Sequence, residues 1–336
     1  MKLLVTGGAG FIGSNFIRLI LQKFPDYEIT NLDKLTYAGN LDNLKDIKNN
    51  IKNKKNYKFV KGDICNAKLV SDLMKNADAV VHFAAETHVD RSLMEAGSFV
   101  MTDVFGTFVL LNEAKKNKIR KFVHISTDEV YGSIEKGNFD EGSPLNPANP
   151  YSASKAGADR LAYSYYKTFS VPVCIARSSN NFGPYQHPEK FIPLFITNSL
   201  EDKKLPLYGD GLNKRDWLYV LDNCEAISLI LHNGEDGEVY NVGAGNEKAN
   251  IYVAKFILKE LKKPDSLIEF VKDRLGHDRR YALDCRKIMK LGWKPRYEFE
   301  DALRKTVKWY TNNNQWWQKA KSKSFKGYYK KQYGKL

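Results

Sequence analysis

Two stretches carry residue types at spacings that can do chemistry: Ser126-Thr127-Asp128-Glu129-Val130-Tyr131 and Tyr151-x-x-x-Lys155. A Tyr and a Lys one helical turn apart share a helical face, so the ammonium can stabilise the phenolate. A free tyrosine titrates near pH ~10, and service as a base at neutral pH requires a shift of about three units, or roughly 4 kcal/mol. One ammonium at about 4 Å supplies roughly that amount at an effective dielectric near ~20. On its own, Tyr-x-x-x-Lys also fits a surface helix, and its weight comes from its position. Asp128-Glu129 adds an acid and a base that simple alcohol oxidation does not need, because neighbouring carboxyls can hold their pKa values apart. Alone the pair reads as a solvated turn after a strand; directly after Ser126-Thr127 and upstream of Tyr151 it reads as chemistry.

These residues need a cofactor beside them, and the first turn of the chain provides a place for one. Thr6-Gly7-Gly8-Ala9-Gly10-Phe11-Ile12-Gly13 follows an apolar run and opens a helical pattern. Its glycines permit a tight turn and let the backbone approach a pyrophosphate at a helix N-terminus. Asp33 ends the second apolar run twenty residues beyond Gly13, where a carboxylate accepts from an adenosine ribose and repels a 2′-phosphate, so NAD is expected over NADP. Asp63, after a third run, is placed to meet the adenine, with a helix N-cap as the structural alternative. Phe83-Ala84-Ala85 puts small side chains after a fourth run, where simple helix–sheet packing is the alternative.

The elements that position these groups follow from periodicity. Lys2–Thr6, Glu28–Leu32, Tyr57–Lys61, Ala79–Phe83, Lys121–Ser126 and Val171–Ala176 read as strands separated by crossover helices. The fold class is α/β: an NAD-binding Rossmann domain, a doubly wound parallel sheet, over residues 1–182. From about Gly183 prolines punctuate the chain, with helices and short isolated strands such as Glu238–Val242 and Ile268–Val271. Residues 183–318 are expected to form a smaller α/β substrate-binding lobe over the sheet's carboxyl edge, with segments near 217–245 returning to the first domain. Residues 319–336 form a basic tail.

With 336 residues, 43% of them hydrophobic and 27% charged, the chain can bury a substantial core. No run of about 20 apolar residues occurs, so no membrane span is expected. Leu3-Leu4-Val5 is too short for a signal peptide and reads as a strand. The four scattered cysteines point to reduced thiols in a cytoplasmic protein, and the six histidines form no zinc-ligand spacing, so no metal is expected. The net charge of +14 gathers in the Lys/Asn-rich stretch Lys45–Lys58 and in the tail. The tail interleaves lysines with Phe325, Tyr328, Tyr329 and Tyr333, yet no nucleic-acid-binding motif accompanies it. It reads as a solvated, partly mobile end, and a basic surface suits an anionic nucleotide.

Thr6–Gly13, LDKLTYAGN (32–40), FAAETHVDRS (83–92), STDEVYG (126–132) and SNNFGPYQHPEKFIP (179–193) together resemble the extended short-chain dehydrogenase/reductase family, specifically its nucleotide-sugar dehydratases. Pro206–Asp216 and DRLGHDRRY (273–281) support the match, which runs to about residue 310. The resemblance implies an NAD-dependent hydro-lyase acting on a nucleotide-sugar. Tyr151 would take the proton from the sugar 4-hydroxyl while Thr127 bonds the developing oxygen. Glu129 would then remove the C5 proton, now acidic beside a ketone, and Asp128 would protonate the departing 6-hydroxyl. The cofactor set implied is Gly7, Gly10, Phe11, Ile12, Gly13, Asp33, Lys34, Leu35, Thr36, Asp63, Ile64, Phe83, Ala84, Ala85, Thr87, Thr102, Tyr151, Lys155 and Asn181. The substrate would meet Thr87, Thr127, Asn180, Lys190, Phe191, Asn250 and, beneath the base, Pro206, Leu207 and Tyr208. Arg215, Arg274 and His277 suit a diphosphate. His88 reads as a structural histidine. Thr87, Phe182 and Leu275 depart from the usual Ser, Tyr and Pro.

The resemblance also implies a homodimer. Ser152–Phe169 places Ala156, Leu161, Ala162, Tyr165, Tyr166 and Phe169 on helical faces and would pair with the helix near Thr102–Asn117 in a four-helix interface. Rival readings are a dehydratase of another nucleotide-hexose, a 4-epimerase or a decarboxylase on the same fold. An epimerase does not need the Asp-Glu pair, and the pair would repel the carboxylate that a decarboxylase binds. A non-catalytic NAD-binding or nucleic-acid-binding protein is the remaining alternative.

Overall fold

Leu3, Leu4 and Val5 are all buried, as a central parallel strand covered on both faces requires. The computed structural model describes residues 1–49, 55–321 and 323–334; part of the Lys/Asn-rich stretch and the last two residues lie outside them. Strand β1 (Lys2–Thr6) sits inside a seven-stranded sheet with β2 (Glu28–Asp33), β3 (Tyr57–Lys61), β4 (Ala79–His82), β5 (Lys121–Thr127), β6 (Val173–Ser178) and β10 (Val239–Val242). The order is β10-β6-β5-β4-β1-β2-β3, and every pairing is parallel. Order reverses between β1 and β4, the switch point where α/β sheets bind ligands beyond their carboxyl ends. Helices Phe11–Lys23 and Val220–Asn233 cover one face through Phe16, Ile17, Ile20, Ile227 and Ile230. Ala67–Met74, Thr107–Lys116 and Pro150–Phe169 cover the other through Val70, Leu110, Leu111 and Ala162.

Three expectations shift. Strand β6 begins at Val173 rather than Val171, because Ser170 takes a left-handed conformation (φ 55°) that caps the preceding helix, and Pro172 follows. Glu238–Val242 does not stand isolated: β10 registers against β6 at the edge of the large sheet, brought there by Val220–Asn233 packing on Phe11–Lys23. The tail is not a solvated end. Asn314–Ala320 and Lys323–Tyr333 are helical, and Trp317 and Phe325 are buried in the core of the second lobe.

That lobe holds a three-stranded sheet, β11-β9-β7 (Glu247–Ala249, Lys214–Tyr219, Asn180–Phe182), and the parallel pair β12-β8 (Ile268–Val271, Leu205–Tyr208). Helices Phe191–Leu200, Asn250–Glu260 and Phe299–Asn312 enclose an aromatic core around Phe182, Trp217 and Phe299. Among the described residues no helix is long and apolar enough to cross a membrane, and no group of three His, Cys, Asp or Glu is placed to hold a metal ion.

Candidate functional site

The first cavity opens over the carboxyl ends of β1, β2, β4 and β5. The glycine turn shapes it: Gly7 has φ 71°, a Cβ there would stand 2.5 Å from the Ala84 nitrogen, and one on Gly13 would stand 2.4 Å from the Gly7 oxygen. Only glycine lets these backbones meet. Gly7, Gly10, Phe11, Ile12 and Gly13 form one wall, and Phe83, Ala84, Ala85, Thr87 and Thr102 another. Asp33, Lys34, Thr36, Asp63 and Ile64 line one end of the cavity, and Tyr151 and Lys155 line it too.

Asp33 accepts from the Ala9 nitrogen at 2.9 Å and the Leu35 nitrogen at 2.8 Å. Burial pushes its carboxyl up, and these N–H groups pull it back. Asp63 faces the cavity rather than capping a helix: it accepts from the Cys65 nitrogen and pairs with Lys34 at 2.7 Å. The helix cap falls to Asn66. Two expected cofactor residues stand elsewhere. Leu35 does not line the cavity, its left-handed backbone (φ 58°) turning the chain while its nitrogen holds Asp33. Asn181 lines the second cavity instead.

The second cavity lies between the large sheet's edge and the smaller lobe. Asn180, Lys190, Phe191, Pro206, Leu207, Tyr208, Arg215, Asn250, Arg274 and His277 all line it. Expected substrate residues Thr87 and Thr127 do not: Thr87 belongs to the first cavity, and Thr127 lines neither. Phe182 is buried in the lobe core and Leu275 is exposed, so neither departure touches a cavity wall. His88, read as structural, is a wall residue. Sequence reasoning missed Asp90, Glu189, Trp217 and Tyr333 here, and Glu86, Ser126, Gln186 and His187 in the first cavity. All but Trp217 and Tyr333 sit within the quoted motifs at strand ends or in the stretch 179–193, which was the available signal.

Gln186, Glu189 and Lys190 line both cavities, which therefore meet at this segment. Arg91 clasps Glu189 at 2.8 Å, and Lys190 reaches the Thr87 carbonyl. Of the chemistry-bearing residues, Glu129 lines the second cavity and Tyr151 and Lys155 the first. Strand β5 ends at Thr127, whose hydroxyl caps a 3₁₀ turn, Asp128–Tyr131, by accepting from the Glu129 nitrogen at 3.3 Å. The same hydroxyl donates to Asp128 Oδ1 at 3.2 Å. Asp128 is 1% exposed. Asp128 Oδ2 and Glu129 Oε2 are buried with no hydrogen-bond partner among the described residues, as are Asn180 Oδ1 and Asn181 Oδ1. Such orphans mark where a polar ligand completes a site.

The two carboxyls differ electrostatically. Burial, then Glu129 and Asp216, hold Asp128 well above the usual carboxylate range. Burial also raises Glu129, but Arg274, Arg215 and Lys190 pull it back toward ionisation. Asp128 is thus the natural acid and Glu129 the natural base.

Tyr151 and Lys155 lie on helix Pro150–Phe169, whose start is fixed by a capping box between Asn149 and Ser152 with Pro150 at the first turn. Lys155 donates to the Ile125 carbonyl at 2.7 Å, and burial lowers its pKa. Burial, then Glu129 and Asp103, push the Tyr151 phenol well above its ordinary value, opposed by a hydrogen bond with Thr87. The protein's own burial and acids thus work against the lowering expected from Lys155.

A family model described as GDP-mannose 4,6 dehydratase matches residues 4–306. A dTDP-glucose 4,6-dehydratase of Streptomyces niveus is 50% identical over 327 residues, 96% of each chain. Among solved structures, DesIV, a dTDP-glucose 4,6-dehydratase from Streptomyces venezuelae with NAD and dTDP bound, matches with a TM-score of 0.92 at 48% identity, covering 95% of this chain and 100% of its own. A dTDP-glucose 4,6-dehydratase from Bacillus anthracis in complex with NAD matches with a TM-score of 0.88 at 50% identity, covering 95% of this chain and 99% of its own.

Proposed function

The chain belongs to the GDP-mannose 4,6 dehydratase family, and on that premise we propose that it is an NAD-dependent hydro-lyase converting dTDP-glucose to dTDP-4-keto-6-deoxyglucose. The observation that carries this reading is the Asp128-Glu129 pair after β5, whose Oδ2 and Oε2 atoms are buried with no partner among the described residues while Glu129 lines the second cavity.

The first cavity fits NAD. Its glycine cradle admits a pyrophosphate where any Cβ would collide, and Asp33 is held for a ribose by two backbone N–H groups. NAD, when bound, supplies the acceptor and later the donor of one hydride. The remaining work falls to side chains. Tyr151 takes the proton from the sugar 4-hydroxyl, and the lowering this requires comes from Lys155 together with the cofactor's positive charge. Thr127, whose hydroxyl bonds Asp128 at the end of β5, is assigned to the forming carbonyl by the family pattern alone. Glu129 removes the C5 proton once that carbonyl can delocalise the charge, since a carboxylate cannot deprotonate an unactivated carbon. Asp128 gives its proton to the departing 6-hydroxyl, and water leaves. Arg215 and Arg274 hold the diphosphate, and Pro206, Leu207 and Tyr208 face the base. Each other role is assigned on the placement above and on the family pattern.

An epimerase leaves Asp128 and Glu129 without work, and a decarboxylase would bring a substrate carboxylate against them. Nucleic-acid binding by the tail loses its aromatic face, because Phe325 is buried in the lobe core and Tyr329 packs against it. We also propose a homodimer through Pro150–Phe169 and Thr107–Lys116 with the π-helical turn Val100–Gly106, where Val100, Met101, Phe105 and Phe108 are each at least 40% exposed. We place the enzyme in the cytoplasm, a reading supported by four free thiols at Cys65, Cys174, Cys224 and Cys285.

Incubation with NAD and dTDP-, UDP- and GDP-hexoses, followed by mass spectrometry, tests the assignment. Loss of one water from dTDP-glucose with no net NADH is expected. An unchanged mass with a new isomer would mean an epimerase.

A further inference from the structure

The last helix, Lys323–Tyr333, sets Phe325, Tyr329 and Tyr333 at four-residue spacing on one face. Phe325 is buried, its ring 5.8 Å from Tyr329, and Tyr329 stands 4.9 Å from Tyr333. Tyr333 in turn lies 6.0 Å from Tyr208 and lines the second cavity. Gln332 Nε2 donates to Tyr208 Oη at 2.7 Å, and that hydroxyl donates to Asp90 Oδ2 at 3.1 Å. The foot of the helix is anchored by Lys321, which is buried, 2.7 Å from Glu201 Oε2 and 3.2 Å from Asn198 Oδ1. Asn198 also donates to Tyr329 Oη at 3.2 Å. Asn198 lies on the helix Phe191–Leu200, and Glu201 caps it; the other end of that helix, at Lys190 and Phe191, faces the same cavity. The basic tail is therefore tied to two walls of the cavity by side chains that the five main motifs do not include.

We propose that this C-terminal helix completes the nucleotide end of the pocket, with Tyr333 presenting its ring to the nucleoside and Gln332 positioning Tyr208. The inference rests on the nucleotide-sugar reading above. An aromatic ring against a base contributes affinity without taking part in chemistry. Its loss therefore acts on binding rather than on turnover.

The test uses full-length, NAD-loaded protein and reads the Kd for dTDP by calorimetry, alongside KM and kcat for dTDP-glucose. Tyr333→Ala should weaken dTDP about tenfold, equivalent to about 1.4 kcal/mol, with the loss in KM rather than kcat. Tyr333→Phe should restore most of the affinity, and Gln332→Ala should lose a smaller share than Tyr333→Ala. Lys330→Ala, on the exposed side of the same helix, should match wild type. Unchanged dTDP affinity in Tyr333→Ala and Gln332→Ala, or a loss confined to kcat, would overturn the proposal. Should Tyr333→Ala unfold, Tyr333→Phe and Gln332→Ala decide it alone. Wild-type protein that binds dTDP without dehydrating dTDP-glucose would contradict the dehydratase reading only; wild-type protein that binds no dTDP would overturn both.

Discussion

Asp128 and Glu129 are neighbours of nearly the same chemistry, yet their surroundings differ, and the proposed function gives them opposite tasks. Asp128 is almost wholly buried beside Asp216 and Glu129, whereas Glu129 is influenced by Arg274, Arg215 and Lys190. Replacing Asp128 with Asn keeps the shape and removes the transferable proton. Asp128→Asn should slow elimination about a hundredfold, within the range of lost general acid catalysis, while the first oxidation slows less. NADH should then accumulate transiently in stopped-flow absorbance, and equal slowing of both steps would remove Asp128 from the acid role. The residue types of this site were legible because chemistry restricts them to few choices at fixed spacing. Their exact facing was not. Asn181 turns to the second cavity, and Thr127 lines neither, because side-chain direction at a strand end depends on the following turn.

At the scale of elements, the sheet was readable because strands buried on both faces must be continuously apolar, and β1 to β5 fall close to where the runs place them. The miss at β6 came from backbone conformation, since nothing in Ser170 itself announces a left-handed cap. Strand β10 was read as isolated, within a segment expected to return to the first domain, because a short apolar run does not say which strand it pairs with; it pairs with β6, and Val220–Asn233 packs on Phe11–Lys23. The tail was misread for a different reason. Its lysines dominate the composition, but Phe325, Tyr329 and Tyr333 recur at helical spacing, and that apolar face has a lobe core to cover. Charge described the exposed side of the helix and hid the buried one.

At the scale of the whole molecule, two cavities meet at Gln186, Glu189 and Lys190, and the proposed function assigns the first to NAD and the second to the nucleotide-sugar. The exposed residues Val100, Met101, Phe105 and Phe108 line neither cavity, and the Phe105 and Phe108 rings are 5.9 Å apart. Such an apolar surface on a charged protein calls for a partner, and a second copy of the same face is the simplest one. Light scattering should give the mass of two chains for the wild type and of one for the variant Phe105→Glu with Phe108→Glu. A wild-type monomer at working concentration would contradict the dimer. The central claim is that one hydride leaves C4 and returns to C6 of the same sugar. The most direct measurement is turnover of dTDP-glucose deuterated at C4, with the product analysed by mass spectrometry and NMR. Deuterium retained and moved to the C6 methyl group is the predicted result; a product whose deuterium stays at C4, or a C6 methyl group built only from solvent hydrogen, would contradict it.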